Sequence, residues 1–98
     1  METVFKKEND KLTVTLSGRV DTTTAPELET KIFAQLDGVS ELILDLNNMP
    51  YTSSAGLRVF LKLHRAMKPQ GTMKVVHVCD DVMEVFEMTG FSDILTIE

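Results

Sequence analysis

The sequence predicts an α/β fold on a mixed β-sheet, with elements in the order ββαβαβαβ. Three observations lead there. Leu12, Val14 and Leu16 alternate with Thr13, Thr15 and Ser17, the pattern of a half-buried strand. Leu28, Ile32 and Leu36 recur every four residues, as one face of a helix does. Leu42-Ile43-Leu44 is a continuous apolar run, the mark of a strand covered on both faces in a mainly parallel sheet.

The remaining elements follow from punctuation. Val4 to Glu8 and Leu12 to Ser17 flank Asn9-Asp10, so the chain opens with a hairpin. Asp21 to Thr24 supply side-chain oxygens ahead of Pro26, which suits a first helical turn, and this helix is expected to end near Gly38. Asn47, Asn48 and Pro50 break the third strand. From Ser53 or Ser54 a second helix runs to about Lys68, with Leu57, Phe60, Leu61 and His64 inward and Arg58, Lys62 and Arg65 outward. Pro69-Gln70-Gly71 stops it. Met73 to Val78 reads as a strand, Asp80 to Met88 as a short helix burying Val82, Val85 and Phe86, and Ile94 to Ile97 as a last strand. Two strand-helix-strand crossovers in the second half imply parallel, right-handed connections, and the hairpin makes the sheet mixed.

Composition bounds the function. Ninety-eight residues suit one module spanning residues 1–98, and 43% hydrophobic with 26% charged residues is an ordinary globular balance. A core of this size needs no structural metal. A formal charge of -5 argues against nucleic-acid binding, which requires clustered cations. The single cysteine, Cys79, excludes an internal disulfide and suits a reducing compartment, and its neighbours Val78 and Asp80 offer no cation to activate it. It reads as a small buried hydrophobe. Met1 to Glu8 lacks a signal-like apolar stretch, and no segment approaches the roughly 20 apolar residues of a membrane span, so a cytoplasmic protein without membrane insertion is expected.

The inventory for catalysis is thin, and neither an enzyme nor a cofactor is expected. His64 lies on the apolar side of its helix. His77, Cys79 and Asp80 allow a chelate to be imagined, but a lone short cluster reads rather as satisfied core residues, and no metal is expected. What stands out is Asn48 to Leu57, with hydroxyls at Thr52, Ser53 and Ser54 where a strand hands over to a helix. Helix N-termini present free N–H groups to anions, and ligands in open α/β sheets gather beyond the strands' carboxyl ends. A phosphate on Ser54 would be stabilised there; the plainer reading is a helix cap worth about 1 kcal/mol. Gly56 in the first helical turn implies either an approaching group or close packing. Asp21 follows a strand too, and either lines a shallow pocket with Ser54 or simply starts a turn. Phe91 and Tyr51 could anchor a partner or close the core.

Four stretches, Leu16 to Asp21, Leu44-Asp45-Leu46, Tyr51 to Leu57 and Phe86 to Phe91, together resemble the STAS domain of bacterial anti-sigma factor antagonists across nearly the whole chain. The resemblance implies a STAS-type mixed sheet packed with helices, and a partner-switching module of transcription regulation. In such antagonists a serine opening the second helix is phosphorylated by a serine-kinase anti-sigma factor, and a PP2C-type phosphatase removes the phosphate. Only the unmodified form captures the anti-sigma factor and frees sigma. By position Ser54 corresponds to that serine, with Ser53 as the fallback, and Asp21 to the acid after the family's second strand. Asp21, Thr22, Thr23, Tyr51, Thr52, Ser53, Ala55, Gly56 and Arg58 would then form the partner surface. The chain departs from the sporulation and stress-response antagonists, which carry an acid before the serine and a hydroxyl residue after it; here Ser53 and Ala55 stand there. Two other readings compete: a constitutive STAS adaptor of a lipid transporter or signalling scaffold, and a small enzyme or nucleotide-binding protein using the pocket near Asp21 and Ser54.

Overall fold

The computed structural model describes residues 2–98; Met1, which opens the N-terminal stretch read above, lies outside them. Among these residues the elements are β1 (Glu2–Glu8), β2 (Lys11–Val20), α1 (Ala25–Phe33), β3 (Glu41–Thr52), α2 (Ser54–Met67), β4 (Thr72–Val76), α3 (Asp80–Thr89) and β5 (Thr96–Ile97), with a 3-10 turn at Phe91–Asp93. The order along the chain is the expected one. β1 pairs antiparallel with β2 across the two-residue loop Asn9-Asp10, where Asn9 takes a left-handed φ of 55° that its short polar side chain tolerates.

The sheet order is β1-β2-β3-β4-β5, and every pairing after the first is parallel. The crossovers therefore include β2-α1-β3, one more than the two expected. When right-handed crossovers add strands always in the same direction, every helix lands on the same face of the sheet. Burial agrees with this. Leu12, Val14, Leu16, Leu42, Leu44, Leu46, Met73 and Val75 are buried beneath the helices, while Thr13, Thr15, Ile43, Lys74 and Val76 alternate onto the other face and reach solvent. The apolar run at Leu42 to Leu44 is thus covered on one face and not on both.

Asn47, Asn48 and Pro50 do not end β3, which continues to Thr52. The register with β2 slips between Thr15 and Ser17 and again between Ser17 and Arg19, each slip adding a residue to β3. Such bulges absorb residues that a regular ladder rejects. Pairing with β4 stops at Asp45, so the missing N–H of Pro50 leaves no acceptor unserved on that side.

Other boundaries shift modestly. α1 stops at Phe33, short of Gly38, although Leu36 and Val39 of the following turn still enter the core. β4 ends at Val76 because His77 adopts a φ of 56°, outside any strand conformation. The last strand is only Thr96–Ile97, Ile94 being exposed and Leu95 buried. The inward stripe of α2 is Gly56, Leu57, Val59, Phe60, Leu63 and Met67; Leu61 and His64 flank it half-buried, as Val85 does on α3. Phe60 meets Phe86 of α3 edge to face at 6.2 Å and 84°, locking two helices over the sheet. Phe91 packs against the same core.

Gly71 shows how tightly the α2–β4 connection is drawn. Its N–H bonds the Met67 carbonyl at 2.7 Å, and a Cβ at this position would overlap the backbone carbonyl of Ser40. Because backbone cannot swing aside as a side chain can, Gly71→Ala should cost about 1–3 kcal/mol. A urea midpoint equal to the parent's would contradict this packing.

Candidate functional site

β2 and β3 are the two longest strands, and their paired tips project beyond the end of β4. Val20 stands opposite Thr52, so Asp21 and Ser53 leave the sheet as neighbours. The junctions that the sequence brings into question thus meet at one end of the molecule.

The two serines there differ. Ser53 is half-buried, and both its backbone N–H and its Oγ hydroxyl donate to the Val20 carbonyl, at 3.1 and 3.2 Å. It occupies the cap position of α2 with extended backbone, yet its side chain makes no capping bond. Its hydroxyl ties β3 to β2 instead, so the plainer reading of this pair as a helix cap does not hold. Ser54 begins α2, is exposed, and has no side-chain hydrogen bond among the described residues. Its hydroxyl is open to solvent beside the unpaired N–H groups of the first helical turn.

Asp21 is held by its own turn. Its Oδ1 accepts from the Thr23 hydroxyl at 2.8 Å and from the backbone N–H groups of Thr23 and Thr24 at 3.0 and 3.1 Å. These bonds, the Thr23 hydroxyl foremost, hold the carboxyl below its ordinary pKa of 3.8. The turn-acid reading describes this geometry, and it fixes the loop that presents exposed Thr22 and Thr23.

Gly56 is buried under the first turn of α2. A Cβ there would intrude on Thr52 Oγ1 and Val20 Cγ1, so close packing accounts for the glycine. Thr52 is only 3% exposed and Gly56 lies above it, which puts both beneath the surface that Ala55, Arg58 and Tyr51 reach. Tyr51 is 45% exposed, with the Arg19 guanidinium 4.7 Å over its ring across the β2–β3 pairing.

Among the described residues, neither Asp21 nor Ser54 lines the hollow at this end. The hollow nearby is a groove of about 270 Å³ between α1 and α2, lined by Thr22, Ala25, Pro26, Glu29, Ala55, Arg58, Val59 and Lys62. The strand order explains this, since a sheet without a reversal has no switch-point crevice for a ligand. The groove's Glu29 and Lys62, joined at 2.8 Å, were not singled out by sequence; Lys62 stands one turn after Arg58, a spacing that could have flagged it.

The imagined chelate separates. His77 is exposed and pairs with Asp45 at 3.0 Å, while Cys79 is half-buried with its Sγ 3.5 Å from the Met49 carbonyl. His77 is therefore not a core residue either. Among the described residues no three His, Cys, Asp or Glu side chains stand close enough to hold a metal. Among the same residues no helix is long and apolar enough to cross a membrane.

Two measurements check this geometry. Gly56→Ala should lower stability even though Ala favours helices by nearly 1 kcal/mol, because the added methyl must displace Val20 or Thr52; a raised melting temperature would refute the packing. The Asp21 carboxyl, followed by NMR, should titrate below 3.8 and move up in Thr23→Val. As its folded pKa is depressed, its stabilisation is complete above the ordinary value and fades as pH falls through the folded one.

Comparison with known proteins completes the description. The STAS domain family model matches residues 2–98. BtrV of Bordetella bronchiseptica, a proposed anti-sigma factor antagonist, is 35% identical, with 99% of this chain and 85% of that protein covered. The anti-sigma-B factor antagonist of Bacillus subtilis is 30% identical, with 96% and 86% covered. Among solved structures, an anti-sigma factor antagonist from Mycobacterium paratuberculosis has a TM-score of 0.89 at 24% identity, covering 98% of this chain and 83% of its own. Unphosphorylated SpoIIAA gives 0.86 at 16% identity, covering 99% and 88%. These two share the fold, and with a family match that runs from residue 2 to residue 98, the chain belongs to the STAS domain family.

Proposed function

We propose that this chain is an anti-sigma factor antagonist, a binding module that captures a serine-kinase anti-sigma factor and is switched off by phosphorylation of Ser54. The observation that carries the reading is the exposed, unbonded hydroxyl of Ser54 at the start of α2. The names of the relatives point to the same role. Ser53 is the weaker acceptor because its hydroxyl already donates to the Val20 carbonyl.

In the switching step the Ser54 oxygen attacks the γ-phosphorus of ATP. The new O–P bond forms as the bond to the ADP oxygen breaks, ADP leaves with that electron pair, and the hydroxyl proton passes to a base on the kinase. A PP2C-type phosphatase reverses the state by hydrolysis. The phosphate adds about -1.5 to -2 charges at pH 7 beside the positive end of α2, which tolerates them, so the scaffold persists. On a docked face the same charge costs several kcal/mol through desolvation and repulsion. Even about 3 kcal/mol weakens capture roughly a hundredfold.

Mass spectrometry after incubation with the cognate kinase and ATP should find one phosphate, on Ser54, in the parent and in Ser53→Ala, and none in Ser54→Ala. Modification of Ser54→Ala at the parent rate would falsify the assignment. Ser54→Asp should lose partner capture roughly a hundredfold. Undiminished capture would instead mark a constitutive adaptor.

A further inference from the structure

We propose that Arg58 is the intramolecular counter-ion of phosphorylated Ser54, so that modification withdraws a cation from the docking face as well as adding an anion to it. The inference rests on the Ser54 reading and deepens it.

Four features of the chain converge on it. Ser54 and Arg58 lie four residues apart in the uninterrupted helix α2, hence one turn apart on one face, and both are exposed. The acidic group would be the N-terminal member, which is the favourable sense for such a pair. Arg58 forms no ion pair among the described residues, and α2 itself contains no Asp or Glu. Of the neighbouring carboxylates, Glu29 of α1 holds Lys62 at 2.8 Å, and Asp21 accepts from Thr23 and Thr24 of its own turn through Oδ1 and pairs with no cation among the described residues. A guanidinium matches a phosphate through two parallel N–H bonds, which a lysine cannot offer.

The pairing changes the face as a whole. Arg58, Lys62 and Arg65 are exposed at successive turns of α2, a basic stripe on a chain of net charge -5. Unmodified, this stripe suits an acidic surface on the captured partner. Modified, its first cation is turned back onto Ser54, and the end of the stripe nearest the loop becomes anionic.

The test needs no kinase. Phosphoserine is installed at position 54 during translation by an orthogonal tRNA–synthetase pair, and its second ionisation is followed by ³¹P NMR. A guanidinium favours the dianion, so the phosphate of the parent should titrate lower than in Arg58→Gln, by roughly 0.2–0.4 of a unit. The positive end of α2, Asp21, Glu29 and Lys62 are common to both proteins and cancel in the difference. Arg58→Lys should fall between the two. Arg65→Gln, roughly 16 Å from Ser54 along the helix axis, should match the parent. An unchanged value in Arg58→Gln, or an equal shift in Arg65→Gln, overturns the proposal. Because the phosphate is installed directly, neither result depends on whether a kinase selects Ser54.

Discussion

The parallel pairing of β2 with β3 is the contact on which the rest of the molecule depends. These strands form the centre of the core through Leu12, Val14, Leu16, Leu42, Leu44 and Leu46, and they run on past β4 to carry the loops of the candidate site. Two bulges let β3 accommodate Asn47, Asn48 and Pro50 while still bringing Thr52 opposite Val20. From that register everything at the tip follows. Ser53 is stitched to the Val20 carbonyl, Gly56 is pressed onto Val20 and Thr52, and α2 is launched with Ser54 outward.

Hydrogen bonding, more than exposure alone, separates the chemically similar groups at this end. Ser53 and Ser54 carry the same hydroxyl, but one is committed to a backbone acceptor and the other is free. Asp21 looks from sequence like a candidate ligand group, yet its Oδ1 is taken up by the turn it organises. What remains outward is the Ser54 hydroxyl, the exposed Thr22 and Thr23, a row of cations and the Tyr51 ring.

Strands laid down in sequential order put all the helices on one side and leave no crevice where the order reverses. The groove between α1 and α2 is a shallow seam between packed helices and not an enclosed cavity.

Much of the fold was legible in the chain because periodicity and punctuation are local. The hairpin at Asn9-Asp10, the three helices, the order of elements and the gathering of hydroxyls where β3 hands over to α2 all follow from residues close in sequence. The errors have one origin. Which leucines of α2 lie at the centre of its stripe, whether Pro50 ends a strand, whether Ile43 is covered and where His77 points depend on what lies across the sheet, and no window of neighbouring residues contains that information. The sequence by itself determined the elements, the acidic balance and the candidate hydroxyls, since these are properties of composition and short-range pattern. Only the tertiary structure decided that Ser53 is tied and Ser54 free, because the acceptor that distinguishes them, the Val20 carbonyl, lies 33 residues away along the chain and becomes a neighbour through strand pairing alone.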